Sequence, residues 1–234
     1  MTKMILLVGN YGSGKTELAV NLAVRSAGEG RRTLVIDLDK VNDYFRMSDK
    51  VSLLAEKQIR LVSPTFAGRG VTPSSMSAAV ASAFTDNWDL VIFDVGGDAA
   101  GALSLGRYHE DLAAYPGQKE VYDIVNVFRP MSESPEKILK LMAEMEGFAR
   151  QRVTGFVNNS NLLTYASADD LRRGYEVIAA TSQRSGIPVV HTTGRREFLE
   201  AFLADGRDPR FIGEPIPLET YIHRSWEAFT REGF

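Results

Sequence analysis

Short apolar runs alternate with longer amphipathic stretches along most of the chain. This alternation is typical of repeated βα units, which form a mainly parallel sheet with helices packed on both faces. The fold class predicted from the pattern is therefore α/β, in three layers, α/β/α, around a sheet of roughly seven strands. The predicted strands are residues 4–8, 33–37, 59–62, 90–94, 124–128, 153–157 and 188–191.

Helix signals follow several of these strands. Ser134 before Pro135 is typical of an N-cap and a first helical position, and apolar residues then recur at helical spacing. Ser167 and Asp170 form a capping-box pair before a second apolar stripe. Residues 208–217 have the composition of a connector, and residues 217–232 predict a last helix. Because no long linker interrupts the pattern, residues 1–234 are interpreted as one domain.

Composition narrows the class of protein and of chemistry. The 234 residues are 44% hydrophobic and 24% charged, which is typical of a folded globular protein, and no apolar run is long enough to cross a membrane. We therefore expect a soluble, cytoplasmic protein. The absence of cysteine excludes disulfides, thiolate metal sites and a cysteine nucleophile. The net charge of -3 argues against non-specific binding to nucleic acid.

Residues 9–16 form a complete G-x-x-x-x-G-K-[ST] motif between a predicted strand and a helix-compatible segment. Glycines let successive backbone N–H groups converge on phosphate oxygens, the lysine neutralises the terminal phosphates, and the threonine hydroxyl can bind Mg²⁺. The motif therefore predicts a phosphate-binding loop in which Lys15 also acts in catalysis. The predicted nucleotide-binding residues here are Gly9, Gly12, Ser13, Gly14, Lys15, Thr16 and the adjacent Glu17.

A phosphate loop needs a carboxylate that holds Mg²⁺ through water, commonly at the end of a neighbouring apolar strand. The run 90–94 ends in Asp94, which we predict to be a metal-binding residue together with Thr16. Gly96 and Gly97 follow at the expected position of the γ-phosphate. The backbone N–H of Gly97 is predicted to contact that phosphate, in a loop that can rearrange on hydrolysis.

A second acidic strand end contains Asp37 and Asp39 on either side of a leucine. The phosphate loop, this DxD element and the later residues 94–97 occur in an order that resembles the MinD/ParA-type P-loop ATPases, the class that includes nitrogenase iron protein. The resemblance covers most of the chain and implies a P-loop NTPase fold. It also implies that Asp39 is catalytic, positions the attacking water and helps to organise Mg²⁺.

The same family reads adenine with an asparagine after a later strand, and the segment 154–159 is similar to that element. The resemblance therefore implies that Asn158, or the adjacent Asn159, binds the base. An amide carries both a donor and an acceptor, as pairing with the adenine edge requires. Two asparagines of an ordinary turn are the alternative interpretation.

The predicted cofactors are ATP and Mg²⁺. A GTPase would normally carry Asn-Lys-x-Asp after a late strand, and residues 158–161 lack the carboxylate that would bind guanine. Asn10 stands where many members of the family carry a lysine that reaches across a nucleotide-dependent homodimer. The resemblance implies a nucleotide-dependent homodimer, but with Asn10 it supplies no lysine acting in trans, so neither fast hydrolysis nor the dimer follows from it. Arg69 and Arg107 are candidates for an arginine that replaces this lysine, and an ordinary surface arginine is the favoured interpretation of each.

Residues 40–75 and 95–118 flank the two acidic strand ends, and we expect them to contact a protein partner. The favoured function is a switch that hydrolyses MgATP and passes between ATP and ADP states. A small-molecule kinase or ATP-dependent ligase could use the same loop, with Asp39 as the base for an acceptor. A module that binds nucleotide without hydrolysing it is the third alternative, suggested by Asn10.

Overall fold

The computed structural model describes residues 2–39, 51–63 and 73–221. The strands are β1 (Lys3–Val8), β2 (Thr33–Asp37), β3 (Arg60–Val62), β4 (Leu90–Asp94), β5 (Gln118–Val125), β6 (Gly155–Asn158), β7 (Val189–Gly194) and β8 (Glu214–Pro217). The helices are α1 (Lys15–Gly28), α2 (Val51–Glu56), α3 (Pro73–Thr85), α4 (Ala99–Gly106), α5 (His109–Ala114), α6 (Pro135–Ala149), α7 (Ala168–Ser185) and α8 (Arg196–Leu203).

The described strands form one sheet in which every neighbouring pair is parallel. Their order is β3-β2-β4-β1-β5-β6-β7-β8. The chain first builds one side of β1 and then crosses to β5 and extends the other side. Such a change of direction leaves a crevice at the carboxyl ends of the strands, where ligands bind in open α/β sheets.

Alternation along β1 sends its apolar side chains to both faces of the sheet. Met4 and Leu6 pack in a core with residues of α4, α5 and α6, whereas Ile5 and Leu7 pack in a separate core with α1 and α2. All four side chains are buried. A sheet covered by helices on both faces confirms the predicted three-layer α/β/α class.

Two helix starts predicted from the sequence are confirmed. The hydroxyl of Ser134 caps α6 by accepting a hydrogen bond from the N–H of Lys137, and Pro135 is the first helical residue. Ser167 and Asp170 form the predicted capping box of α7, in which the N–H of Ser167 donates to the Asp170 carboxylate at 3.1 Å. These caps fix the two helices that pack against β5 and β6.

The bounds of several strands shift by one to three residues, and the structure differs most from the prediction at the fifth strand and at the connector. The fifth strand, predicted at 124–128, is β5 and begins at Gln118, because pairing with β1 continues down to Lys3. It ends before Asn126, whose side-chain oxygen accepts the N–H of Phe128 at 3.1 Å and closes a turn. The predicted connector contributes β8, so the described residues form a sheet of eight strands; β8 lies at its edge, where proline is tolerated.

The predicted C-terminal helix falls mainly on residues 222–234, which lie outside the described residues. Pro217, its first predicted residue, ends β8. Among the helices of the described ranges, none combines the length and apolarity needed to span a bilayer.

Candidate functional site

The carboxyl ends of four neighbouring strands carry the polar residues of the candidate site. The loop 9–14 follows β1, Asp37 ends β2, and Asp94 ends β4. Asp123 lies near the end of β5, opposite Val8. Because these strands are parallel and adjacent, their ends converge under the first turn of α1.

The phosphate loop follows a path that glycine adopts without strain. Gly9, Gly12 and Gly14 have φ values of 125°, 70° and 94°, in the left-handed region. A Cβ atom at Gly9 would lie 2.6 Å from the carbonyl oxygen of Ile124, so the loop packs tightly over β5. No side chain caps the first turn of α1, and a helix N-terminus of this kind binds phosphate.

Lys15 begins α1 and is buried. Its ammonium donates hydrogen bonds to the carbonyl oxygens of Gly9 at 3.1 Å and Asn10 at 2.8 Å. Burial lowers the pKa of Lys15, because the charged form loses solvation. Four carboxylates oppose that shift, namely Asp94, Asp39, Asp123 and Asp98. Lys15 is thus the cation at the centre of an acidic strand edge.

The two aspartates of the DxD element occupy different positions. Asp37 is buried, and its carboxylate accepts the N–H of Asp39 at 2.9 Å and the hydroxyl of Ser63 at 3.0 Å. Asp39 lines the cavity described below, and a Cβ atom at Gly96 would lie 3.3 Å from its Oδ1. The first carboxylate therefore holds the turn, and the second stands beside the loop that follows β4.

Asp94 is buried, and neither of its carboxylate oxygens has a hydrogen-bond partner among the described residues. Burial, reinforced by the neighbouring charge of Asp37, raises the pKa of Asp94, while the hydroxyl of Thr16 and the ammonium of Lys15 act in the opposite direction. Burying a carboxylate without a hydrogen-bond partner costs free energy unless a ligand binds to it. The Asp94 carboxylate and the adjacent Thr16 hydroxyl are oxygen ligands of the kind that Mg²⁺ prefers.

Gly97 lies directly against the phosphate loop. A Cβ atom at this position would lie 2.5 Å from the backbone nitrogen of Tyr11, so a larger residue would displace the loop. Asp98 then caps α4, since its carboxylate accepts the N–H of Gly101 at 2.7 Å. Gly97 thus lies beside the phosphate loop, and its contact with a terminal phosphate stays a prediction.

A cavity of about 430 Å³ extends from the phosphate loop along the sheet edge. One end is lined by the first turn of α1 and by Asp39. The other end is lined by residues 159–161, by Arg195 before α8, by Phe198 in α8, and by residues 218–220. The volume of the cavity lies in the range of small-molecule binding sites.

Both predicted base-reading asparagines are buried, and their amides are engaged in the protein. Asn158 donates to the carbonyl oxygen of Leu171 at 3.2 Å and accepts the N–H of Ser160 at 3.2 Å. Asn159 donates to the carbonyl oxygen of Ser13 at 2.7 Å and accepts the hydroxyl of Thr193 at 2.7 Å. Asn159 lines the cavity and also ties the base end of the site to the phosphate loop.

Glu17 lines the cavity, and its carboxylate accepts the N–H of Tyr221 at 2.6 Å. Asn21, one turn later, forms paired hydrogen bonds with the backbone of Glu219, at 3.0 Å and 2.8 Å. The last described segment of the chain, residues 218–221, is therefore fastened to α1 and forms one wall of the cavity. Sequence reasoning placed Glu17 in the site but did not find this contact.

Two charged residues of the site were not found from the sequence. Asp123 is buried beneath Gly9, and burial raises its pKa to about 7. Arg129 lines the cavity, and its Nε donates to the carbonyl oxygen of Gly12 at 2.9 Å. The signal for Asp123 was an acidic residue directly before the predicted apolar run 124–128. For Arg129, the signal was its place directly after the fifth predicted strand.

Of the two candidate arginines named from the sequence, Arg107 lies among the described residues. Arg107 is the C-cap of α4 and does not line the cavity. Arg69 lies outside the described residues, as does most of the predicted partner segment 40–75.

No family model and no curated protein matches this sequence. Solved structures do match the fold. FtsY from Mycoplasma mycoides has a TM-score of 0.55 and 17% identity, over 82% of this chain and 60% of that chain. FtsY from Thermotoga maritima has a TM-score of 0.54 and 20% identity, over 82% and 62%.

The signal recognition particle receptor FtsY from Elizabethkingia anophelis, in complex with GDP, has a TM-score of 0.51 and 18% identity, over 82% of this chain and 57% of that chain. This chain thus spans about three fifths of the length of these proteins. Identities this low establish the fold alone. The chain has the three-layer fold of P-loop nucleoside triphosphatases.

Proposed function

We propose that this protein binds a nucleoside triphosphate with Mg²⁺ and hydrolyses it, and that the change of bound nucleotide acts as a switch. The observation that carries the proposal is the position of Lys15 and Asp94 beneath the phosphate loop, where their charges interact without a direct hydrogen bond between them. The buried ammonium of Lys15 donates to carbonyl oxygens of the loop. The buried carboxylate of Asp94 has no hydrogen-bond partner among the described residues. A magnesium-bound phosphate satisfies both.

Each residue has a defined part in this reaction. The loop N–H groups and Lys15 bind the phosphate oxygens, and Lys15 leaves the carbonyl oxygens of Gly9 and Asn10 to do so. Thr16 and Asp94 would hold Mg²⁺, which neutralises charge on the β- and γ-phosphates when bound. Asp39 orients a water molecule toward the γ-phosphorus. Attack by that water breaks the bond to the bridging oxygen, whose electron pair stays on the diphosphate.

ATP is the nucleotide we propose. Asn161 stands where a guanine site would place a carboxylate, and its own side chain is turned into the loop, accepting the N–H of Leu163 at 3.1 Å. The carboxylates among the described residues that line the cavity are Glu17, Asp39 and Glu219, and none of them belongs to the segment 158–161. GTP is the second candidate, because one of the structurally similar proteins contains GDP.

The reporting surface in the proposal is the segment 95–118. It begins at Gly97, against the phosphate loop, and continues through α4, where Leu103 is 53% exposed. A shift at Gly97 is transmitted to α4 through Asp98, which caps that helix. A protein partner that contacts Leu103 would therefore respond to the bound nucleotide. The order of motifs supports a MinD/ParA-type switch as the finer assignment.

The experiment compares the wild-type protein with Lys15→Ala for binding of MgATP and MgGTP by calorimetry. Loss of a buried charge-assisted phosphate contact should weaken binding at least 100-fold, or about 3 kcal/mol. Lys140→Ala, which removes an exposed lysine on α6, is the matched control and should bind as the wild type does. Equal affinity of Lys15→Ala and the wild type would contradict the proposal.

Phosphate release from the bound nucleotide separates the three functions considered. Asp39→Asn should retain most of the affinity and lose turnover at least 100-fold, while Asp86→Asn, at an exposed position, should lose neither. A kinase or ligase would instead need an acceptor for turnover and would transfer the phosphate to it. ATP recovered intact from a stoichiometric complex would identify a module without hydrolytic activity.

A further inference from the structure

Arg129 lies flat against the phosphate loop. Its Nε donates to the carbonyl oxygen of Gly12 at 2.9 Å, and a Cβ atom at Gly12 would lie 3.3 Å from Nε and 3.5 Å from Cζ. Gly12 therefore makes room for the guanidinium as well as allowing a positive φ of 70°. The arginine lines the same cavity as Lys15 and Thr16.

The turn that carries Arg129 is held at both ends. The N–H of Arg129 donates to the carbonyl oxygen of Asn126, and its own carbonyl oxygen accepts the N–H of Ser132, both at 3.0 Å. The side chain of Asn10 donates to the carbonyl oxygen of Pro130 and to the hydroxyl of Ser132. Asn10 thus fastens the arginine-bearing turn to the phosphate loop.

The charge of the site favours a cation at this place. Asp39, Asp94 and Asp123 surround Lys15, and a triphosphate adds further negative charge to the same edge. A guanidinium carries five N–H donors in a planar fork that matches phosphate oxygens, so a contact to phosphate is compatible with the Nε bond to Gly12. Lys15 and Arg129 would then contact the phosphates from two sides.

We infer that Arg129 contacts the phosphates of the bound nucleotide from within the same chain, and that Asn10 is the positioning residue that holds it there. This inference rests on the proposed function. It assigns to one chain the charge that a lysine supplies across a dimer in proteins with that lysine. A single subunit therefore contains both phosphate-binding cations, and nucleotide binding does not require a second copy.

The test measures the affinities of AMP, ADP and ATP, and of the guanine series, for the wild type, Arg129→Gln, Arg129→Lys and Lys15→Ala. Arg129→Gln should weaken triphosphate binding about 10- to 100-fold and monophosphate binding less than threefold. Arg129→Lys keeps the charge without the fork and should recover only part of the loss. Arg60→Gln, at an exposed arginine that does not line the cavity, is the control.

The phosphate series separates contact from structure. A merely structural arginine would lower the affinity of all three nucleotides by the same factor, and that result overturns the inference. Addition of guanidinium ion to Arg129→Ala should restore triphosphate binding, whereas an alkylammonium ion should restore less. Wild-type protein that binds neither triphosphate would overturn the proposed function as well. Wild-type binding that needs Lys15 but is unchanged in Arg129→Gln overturns this inference alone.

Discussion

Asp37 and Asp94 lie directly opposite each other in the parallel pairing of β2 and β4. Both carboxylates are buried, but their surroundings differ. Asp37 accepts two hydrogen bonds, from the N–H of Asp39 and the hydroxyl of Ser63, whereas the oxygens of Asp94 have no partner among the described residues. The charge of Asp37 disfavours the ionisation of Asp94, so the site favours a cation between these strand ends and the phosphate loop.

Asp94→Asn should change stability and ligand binding in opposite directions. Without nucleotide, the amide removes an unpartnered buried charge, and we expect the free energy of unfolding at pH 8 to rise by about 1 to 3 kcal/mol. With Mg²⁺ and ATP present, the variant should gain less stability from the ligand than the wild type does. Thermal unfolding with and without MgATP measures both effects.

Asp39→Asn is the appropriate comparison, since Asp39 borders the same site at a partly exposed position. It should leave the stability without nucleotide within about 0.5 kcal/mol of the wild type. A fall in the stability of ligand-free Asp94→Asn would show that the carboxylate is already satisfied within the protein.

Asp123 should make the folded protein less stable as pH rises. Burial raises its pKa from 3.8 to about 7, so between these values the folded state holds a proton that the unfolded state has released. Stability from this group is full below pH 3.8 and is lost as pH rises to about 7. Because one pKa unit corresponds to about 1.4 kcal/mol, the contribution is at most about 4 kcal/mol.

Asp123→Asn should remove that part of the pH dependence. Urea unfolding at pH 4.5, 5.5, 6.5 and 7.5 gives the comparison, with Asp86→Asn as the exposed control. If the curves of wild type and Asp123→Asn stay parallel across this range, Asp123 ionises with an ordinary pKa.

The phosphate loop and the acidic strand ends could be predicted because each is encoded in a few consecutive residues. A glycine needed for positive φ and an aspartate at the end of an apolar strand can be recognised from their neighbours in sequence alone. The parallel sheet could be predicted for a similar reason, since its strands are nearly continuous apolar runs. These local signals located Lys15, Thr16, Asp39 and Asp94 at one edge.

Arg129 could not be placed in this way. Its position depends on where β5 ends against β1 and on a turn closed by Asn10, which is 122 residues away from Ser132 in sequence. A prediction from the apolar run 124–128 carries the strand past that turn. The roles of Asn158 and Asn159 were equally hidden, because an asparagine that reads a base and one that holds a loop have the same sequence signature.

Asn159→Ala should weaken ATP and GTP binding by the same factor, about tenfold. Its amide joins Ser13 in the phosphate loop to Thr193 on β7, so its loss loosens the site without removing a contact to one base. Competition between the two nucleotides measures this ratio. Asn87→Ala, at an exposed position, is the control. A changed ATP-to-GTP ratio would instead indicate that Asn159 reads the base.

The segment 218–221 should respond to substitution of Asn21, since this buried amide is paired with both backbone groups of Glu219. Asn21→Ala would leave the N–H and the carbonyl oxygen of Glu219 without these partners, at a cost of about 1 to 3 kcal/mol. The wall of the cavity formed by Leu218 and Thr220 would then open more often. We expect faster hydrogen exchange in residues 214–221 and weaker nucleotide binding.

Asn21→Asp separates the two halves of this contact. It keeps an oxygen for the N–H of Glu219 but replaces the donor with a second carboxylate near Glu17, whose own oxygen holds the N–H of Tyr221. Relative to Asn21→Ala at the same pH, exchange in Asn21→Asp should be at least as fast at neutral pH and slower at pH 4, where the introduced carboxylate is protonated in part. If Asn21→Asp and Asn21→Ala exchange at the same rate at each pH, the amide of Asn21 does not fasten this segment.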